Sequence, residues 1–286
     1  MMPKMTTSQW LSLATTQLEA AGIGTARLDA LVLLEDTLNI DRAKLLAEPE
    51  TEIEPVIIDK LINVLKRRAT HEPLAFIRGF SEFYGRKFIV NQNVLEPRPE
   101  SETMIDLLKE LVDDPKSTIS RLSDLYIADV GTGSGALGIT AKLELPKCEV
   151  DLIDIDDGAL SVAKTNVDLF TLNISIIKSD LLASTDSNYQ VLLCNLPYVP
   201  DDYQINSSAN FEPRIAIFGG TDGLYLYRKL FEQIVKRSNK PLYLLTECLP
   251  AQHADLRLIA TLHGYFEFHE FEFIQVFELR LAAQLY

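Results

Sequence analysis

The sequence predicts an α/β protein, a mostly parallel sheet preceded by a small helical domain, and three observations predict it. Residues 8–70 carry apolar side chains at helical spacing only. From about residue 100 short apolar runs alternate with helical stretches, and two strand-like runs a couple of residues apart close the chain. In order, Trp10, Leu11, Ala14, Leu18 and Ala21, then Leu28, Leu31, Val32 and Leu34, recur at i, i+3 and i+4 as one face of a helix does. Pro55 suits the first turn of a further helix holding Ile57, Ile58, Leu61, Ile62 and Leu65, because the N–H it lacks has no intrahelical partner there. After Gly79 the aromatic and β-branched stretch 83–90, with Gly85 at its centre, predicts a hairpin. Residues 125–130, 150–153, 174–177, 191–194 and 242–245 are short apolar strands separated by helical stretches, the pattern of βαβ units whose sheet is covered on both faces. Residues 265–268 and 271–279 form a terminal hairpin, which sets one strand antiparallel to its neighbour. The domains expected are therefore 1–79 (helical), 80–100 (hairpin and linker) and 101–286 (the sheet).

Composition narrows the function classes. The 286 residues are 47% hydrophobic and 24% charged, an ordinary globular balance. No apolar run reaches the ~18 residues of a membrane span, and the start MMPKMTTSQW lacks a signal-peptide pattern, so a soluble, unexported protein is expected. Cys148, Cys194 and Cys248 are odd in number and widely spaced, which argues against a disulfide framework. His71, His253, His263 and His269 have no metal-ligand spacing, and no metal is expected. The net charge of −14 is uneven: −1 over residues 1–90 and −13 over 91–286. Nucleic-acid binding draws its affinity from cations on phosphates, so the C-terminal part is a poor groove for DNA or RNA. The one compact basic strip, Lys66, Arg67 and Arg68, reads as a solvated helix end where the macrodipole favours cations.

Three motifs carry chemistry. Directly after the strand 125–130 comes Gly131-Thr132-Gly133-Ser134-Gly135, at the carboxyl edge where α/β sheets bind nucleotide-like ligands. Because Gly133, Gly135 and Gly138 also satisfy G-x-G-x-x-G, this loop alone leaves NAD and adenosyl cofactors open. Asp154 ends the next strand 23 positions after Gly131, where a carboxylate accepts hydrogen bonds from ribose hydroxyls; Asp156 and Asp157 read as helix caps. The third motif, Asn195-Leu196-Pro197-Tyr198, follows the strand 191–194 and decides between the cofactors. A planar amine or amide can donate to the Asn195 side-chain oxygen and the Leu196 carbonyl while the Tyr198 ring stacks on it, leaving its lone pair aimed at an incoming methyl. Such a nitrogen is a weak nucleophile, so catalysis rests on alignment, worth roughly 7–11 kcal/mol when the geometry is good.

With Glu72-Pro73-Leu74-Ala75-Phe76-Ile77-Arg78-Gly79, Glu82-Phe83-Tyr84-Gly85, Pro97-Arg98-Pro99-Glu100-Ser101-Glu102, Phe211-Glu212-Pro213 and Gly219-Gly220-Thr221-Asp222-Gly223-Leu224, the chain resembles the HemK/PrmC family over nearly its whole length. These are glutamine methyltransferases of peptide-chain release factors. The resemblance implies an N-terminal helical domain that engages a class 1 release factor, and a seven-stranded class I methyltransferase domain binding S-adenosyl-L-methionine. It further implies N5-methylation of the glutamine in a Gly-Gly-Gln loop, by a cytoplasmic monomer with no nucleic acid or membrane partner. Residues 131–135 (Gly131, Thr132, Gly133, Ser134, Gly135) would lie along the methionine part of the cofactor, Asp154 on its ribose and Leu181 near its adenine. Asn195, Leu196, Pro197 and Tyr198 would hold the glutamine.

Two positions depart from the family pattern. Leu196 stands where a proline is usual, and Leu249 where a glycine usually follows Glu-x; the terminal strands also lack the usual Asp-x-x-Gly-x-x-Arg-like ending. The Leu196 form resembles rRNA adenine dimethyltransferases in this motif. Methylation of an exocyclic adenine amine, or of a ribosomal-protein glutamine, is therefore the alternative; a non-catalytic module of the translation machinery is a second. The segment 98–102 has two readings, a wall of the cofactor pocket or a plain helix start with Pro99 in its first turn.

Overall fold

A computed structural model describes residues 5–280. They divide into two compact units, the first running through Gly79 and including Asn206–Phe211, the second made of Phe80–Ile205 and the described residues from Glu212 onward.

The first unit begins with the two-residue strand β1 (Met5–Thr6) and α1 (Thr7–Ala20), continues with α2 (Ala26–Leu38), α3 (Arg42–Ala47) and β2 (Glu52–Ile53), and ends with α4 (Pro55–Ala69) and α5 (Leu74–Arg78). Thr6 and Gln9 form a reciprocal capping box at the start of α1, satisfying two of the N–H groups a helix start leaves unpaired. Trp10, Ala14, Leu18, Leu34 and Leu61 form the centre of its core. Two readings are corrected here. The region 8–70 is not purely helical, because Ile53 and Glu52 pair with Met5 and Thr6 as a short antiparallel ladder. Nor is the basic strip solvated throughout: Lys66 is exposed, but Arg68 is buried and donates to Asp29 at 2.6 Å, and the half-buried Arg67 donates to Glu72 through Nε at 2.8 Å. Both arginines do lie in the last turn of α4, but each cation is claimed by an acid.

The second unit opens on the hairpin β3 (Phe80–Phe83) and β4 (Arg86–Ile89), whose turn residues Tyr84 and Gly85 have φ of 51° and 69°. Both values are those of a type I′ turn, which matches strand twist. Then follow α6 (Glu102–Asp113), β5 (Tyr126–Val130), α7 (Ala136–Glu144), β6 (Glu149–Asp154), α8 (Asp157–Leu169), β7 (Ser175–Lys178), β8 (Val191–Cys194), α9 (Tyr225–Val235), β9 (Tyr243–Glu247), α10 (His253–Leu262), β10 (Tyr265–Phe271) and β11 (Ile274–Leu279). The seven strands after the hairpin form one sheet in the order β10-β11-β9-β8-β5-β6-β7, in which β11 runs antiparallel to both its neighbours. This is the class I methyltransferase architecture expected.

Successive residues of each strand point to opposite faces. Val191, Leu193, Tyr243 and Leu245 pack with α6, α7 and α8, whereas Leu192, Cys194 and Leu244 pack with α9 and α10. Both faces are thus covered, which is why the central strands read as unbroken apolar runs. From β5 the chain winds outward through β6 to β7, then returns to place β8 on the other side of β5. The reversal opens a crevice beyond the carboxyl ends of β5 and β8, where ligands of open α/β sheets bind.

Candidate active site

Both motif loops leave the sheet at that crevice. After β5, the N–H groups of Gly131 and Thr132 donate to the Ile153 carbonyl at 2.8 and 2.9 Å, stapling the glycine loop across the end of β6. Gly131 has φ of 74°, a region that glycine enters without steric penalty. Beneath the loop, Asp129 is buried and accepts from the Thr132 hydroxyl at 2.6 Å and the Gly138 N–H at 2.9 Å. Loss of water outweighs these bonds and pushes its carboxyl up to about 6. Gly138 completes the packing: a Cβ there would collide with the Leu152 side chain and stand 2.9 Å from the Asp129 Cβ. Its place in the G-x-G-x-x-G string is therefore explained by the floor of the loop.

Asp154 closes β6 with its Oδ2 accepting the Gly133 N–H at 2.9 Å and its Oδ1 the Asp156 N–H at 3.0 Å. Each oxygen keeps a second lone pair, so two adjacent hydroxyl donors can still be accommodated. Burial raises this carboxyl as well. Asp156 caps α8 through the Ala159 N–H, as expected. Leu181, held at φ of 54°, packs into the same cavity. Gly131, Thr132, Gly133, Ser134, Asp154, Leu181, Asn195, Leu196 and Pro197 all line one cavity. Gly135 and Tyr198 are not on its wall. Gly135 instead caps α7, where a Cβ would stand 2.9 Å from Ile139 Cδ1. A Cβ on Gly133 would meet nothing within 4 Å, so that position presents bare backbone to open space.

The loop after β8 is held by side chains. The Asn195 Nδ2 donates to the Ser101 Oγ at 2.9 Å, and the Ser101 hydroxyl donates to the Glu247 Oε2 at 2.5 Å. The Tyr198 hydroxyl donates to the other carboxylate oxygen at 3.1 Å. Burial, with the Glu247 charge beside it, raises the Tyr198 phenol, which therefore stays a neutral donor. The Gln252 Nε2 spans the Tyr198 and Asp222 carbonyls at 2.8 Å each, tying the loop to the turn 219–223. Gly219 and Gly223 are required by that contact, since a Cβ on either would strike the backbone oxygen of Pro197 or Tyr198. Gly223 also has φ of 77°.

Sequence reasoning missed Ser101, Glu247 and Gln252 as supports of this loop. The signal available was an acid ending an otherwise apolar strand, at the same sheet edge as Asp154. The segment 98–102 satisfies both its readings: Pro99 starts a 3₁₀ turn leading into α6, and Arg98 and Ser101 line the cavity. Arg98 is anchored by the buried Glu212 at 2.7 Å. The two departures are accommodated. Leu196 is buried, its Cδ2 3.0 Å from where a Cβ on Gly131 would stand, so its side chain fills the space that the glycine leaves. Leu249 has φ of −64° and ψ of 141°, an extended conformation that needs no glycine. Among the described residues, no group of three or more His, Cys, Asp or Glu could hold a metal ion, and no helix is long and apolar enough to cross a membrane.

Residues 9–79 match the PrmC N-terminal domain, and residues 108–210 the methyltransferase small domain. The chain is 35% identical to the release factor glutamine methyltransferase of Koribacter versatilis, over 80% of this chain and 81% of that protein. It is 30% identical to the bifunctional methyltransferase of Rickettsia bellii, over 90% of this chain but only 51% of that one, so it spans about half the length of that relative. Among solved structures, the hMettl16 catalytic domain shares the fold with a TM-score of 0.53 and 16% identity, over 77% of this chain and 83% of that one.

Proposed function

The chain belongs to the release factor glutamine methyltransferase family, and from that premise we propose how its residues methylate a glutamine side-chain amide of a release factor with S-adenosyl-L-methionine. One observation carries the assignment of roles. The nitrogen of the Asn195 amide is turned toward Ser101, to which it donates, and toward Glu247, so its oxygen is the end left for a ligand. That acceptor, together with the Leu196 carbonyl, matches the two N–H donors of a primary amide, and Tyr198 supplies a ring to stack on its plane. The class 1 release factor with its Gly-Gly-Gln loop is the partner this chemistry serves. Residues 1–79 are its recognition domain, 80–100 the hairpin and linker, and 101–286 the methyltransferase domain of a cytoplasmic monomer.

The cavity wall fits the cofactor. The open face of Gly133 admits close approach of a ligand chain, and the free lone pairs of Asp154 suit two vicinal hydroxyls. Leu181 offers an apolar surface for the adenine, and Gly131, Thr132 and Ser134 line the bend beside the methionine part, with Gly135 behind them at the start of α7. When bound, S-adenosylmethionine supplies an electrophilic methyl on a sulfonium. Asn195 and Leu196 hold the two amide hydrogens, which directs the nitrogen lone pair out of their plane. Held there, the cofactor would donate that methyl and keep the electron pair of its C–S bond, while the Asn195 side-chain oxygen and the Leu196 carbonyl, each accepting one amide hydrogen, would hold the proton that passes to solvent as the secondary amide forms. The reaction disperses a positive charge, so alignment and exclusion of water are what the protein must provide.

The test is transfer of labelled methyl from S-adenosylmethionine to a purified release factor, to its Gly-Gly-Ala loop variant, and to ribosomal RNA in parallel. Label on the intact factor alone is expected. Label on RNA alone would overturn the substrate assignment.

A further inference from the structure

We propose that Glu247, acting through Ser101, is the positioning residue that fixes which end of the Asn195 amide meets the substrate. The inference rests on the reading of Asn195 as the substrate clamp. Glu247 ends β9, two strands from the glycine loop, and is 1% exposed, as deeply placed as the apolar residues preceding it. An ionised carboxylate can only accept hydrogen bonds. Ser101, 2.5 Å away, must then spend its single proton on Glu247, and its oxygen can only accept from Asn195. Polarity thus runs one way along the chain, and it selects the NH₂ end of Asn195 for the anchor and the oxygen for the ligand. The second carboxylate oxygen holds the Tyr198 hydroxyl, so one charge orients both jaws of the clamp. Tyr227, buried on α9, reinforces this: its hydroxyl lies 2.6 Å from the Glu247 carbonyl oxygen and 2.9 Å from that of Cys194, shares its one proton between them and accepts the Glu247 N–H at 3.2 Å, fixing the strand ends from which Glu247 and Asn195 project.

A neutral side chain at 247 removes the polarity. Ser101 could then donate to the Asn195 oxygen, the amide could turn over, and its NH₂ would face the NH₂ of the substrate, donor against donor. The same loss follows protonation. The titratable groups acting on Glu247 include Glu100 from the turn before α6, Tyr198 from the β8 loop, Tyr227 from α9 and Cys248 just after β9; Arg98, which acts on the Tyr198 phenol from that same turn, is paired with Glu212, and burial raises the Glu247 carboxyl above the ordinary range. Turnover should therefore fall as pH drops through that raised value, in a limb that belongs to Glu247.

The experiment compares Glu247→Gln, Ser101→Ala, Ser101→Thr and Asn195→Ala by single-turnover methyl transfer to the release factor, cofactor titration and a pH–rate profile. Glu247→Gln should lower turnover by about 10- to 100-fold, the range for loss of a group that orients a reacting ligand, keep cofactor affinity within about threefold and lose the acidic limb. Ser101→Ala should fall similarly, Ser101→Thr should recover most of the rate, and the double variant Ser101→Ala/Glu247→Gln should be no worse than the poorer single one, as expected of one relay. Full turnover and an intact acidic limb in Glu247→Gln, with Asn195→Ala inactive, would overturn this inference and leave the clamp standing. Full turnover in Asn195→Ala would overturn the clamp itself. Should Glu247→Gln fail to bind cofactor, the Ser101→Ala and Ser101→Thr pair decides: equal rates in both would sink the relay.

Discussion

The glycine loop after β5 and the Asn195 loop after β8 lie at the same edge of one sheet, yet they are held in opposite ways. The first is built from its own neighbourhood: backbone N–H groups bond to Ile153, and Asp129 closes on Thr132 and Gly138, all local in sequence or on the adjoining strand. The second depends on residues far along the chain, with Ser101 94 positions before Asn195 and Gln252 54 after Tyr198. A backbone cradle suits a cofactor recognised by shape. A substrate amide must instead be turned to one orientation, and only directional side-chain hydrogen bonds with a defined polarity impose that.

Breaking the substrate side alone should give the largest effect. Asn195→Ala is expected to reduce turnover by at least about 100-fold, the size of losing one preorganised polar contact at a reacting centre, while calorimetry shows near-normal cofactor binding. Equal losses of both would erase the distinction. Glycines offer a matched pair for the next test. Gly223→Ala forces a side chain against the Tyr198 carbonyl and Gln252 at a positive φ, so turnover should drop by about tenfold or more together with a clear fall in melting temperature. Gly138→Ala drives a methyl into Leu152 and Asp129 instead; it should cost about 1–3 kcal/mol of stability by overpacking and weaken cofactor binding first.

Two aspartates sharpen the contrast by titration. Carboxyl NMR should place Asp129, under the glycine loop, at about 6, and Asp222, in the turn behind Tyr198 and paired with Arg228, at about 2. The linked stabilities have opposite signs. Asp129 contributes fully below its unfolded value and loses that contribution as pH rises through about 6; Asp222 contributes above its unfolded value and loses it as pH falls through about 2. Similar values for both would deny the difference in burial. The smallest effect belongs to Leu196→Pro, which keeps the carbonyl the clamp uses but gives up a buried side chain over Gly131. Turnover should stay within about threefold, with stability lower by about 1 kcal/mol. A gain in rate would mean that the proline geometry matters more than the packing.

Much of this arrangement was legible because it is local. The strand at 191–194 is an unbroken apolar run that coincides with β8, and the hairpin turn, the cap at Asp156 and the glycine loop each follow from short-range stereochemistry. The readings that failed involved partners the chain brings in from afar. Arg68 looked solvated because Asp29 lies 39 positions earlier, and Glu52 and Ile53 looked helical because their ladder partner is the N-terminal Met5 and Thr6.

By itself the sequence determined the α/β class, the positions of the strands to within about three residues and the two loops that carry chemistry, since each is written in periodicity or in backbone requirements of a few adjacent residues. Tertiary structure alone decided that Ser101, Glu247 and Gln252 converge on residues 195–198, and that Leu196 fits over Gly131. Those outcomes depend on strand order and on the direction of individual hydrogen bonds, which arise only when distant segments are folded against one another.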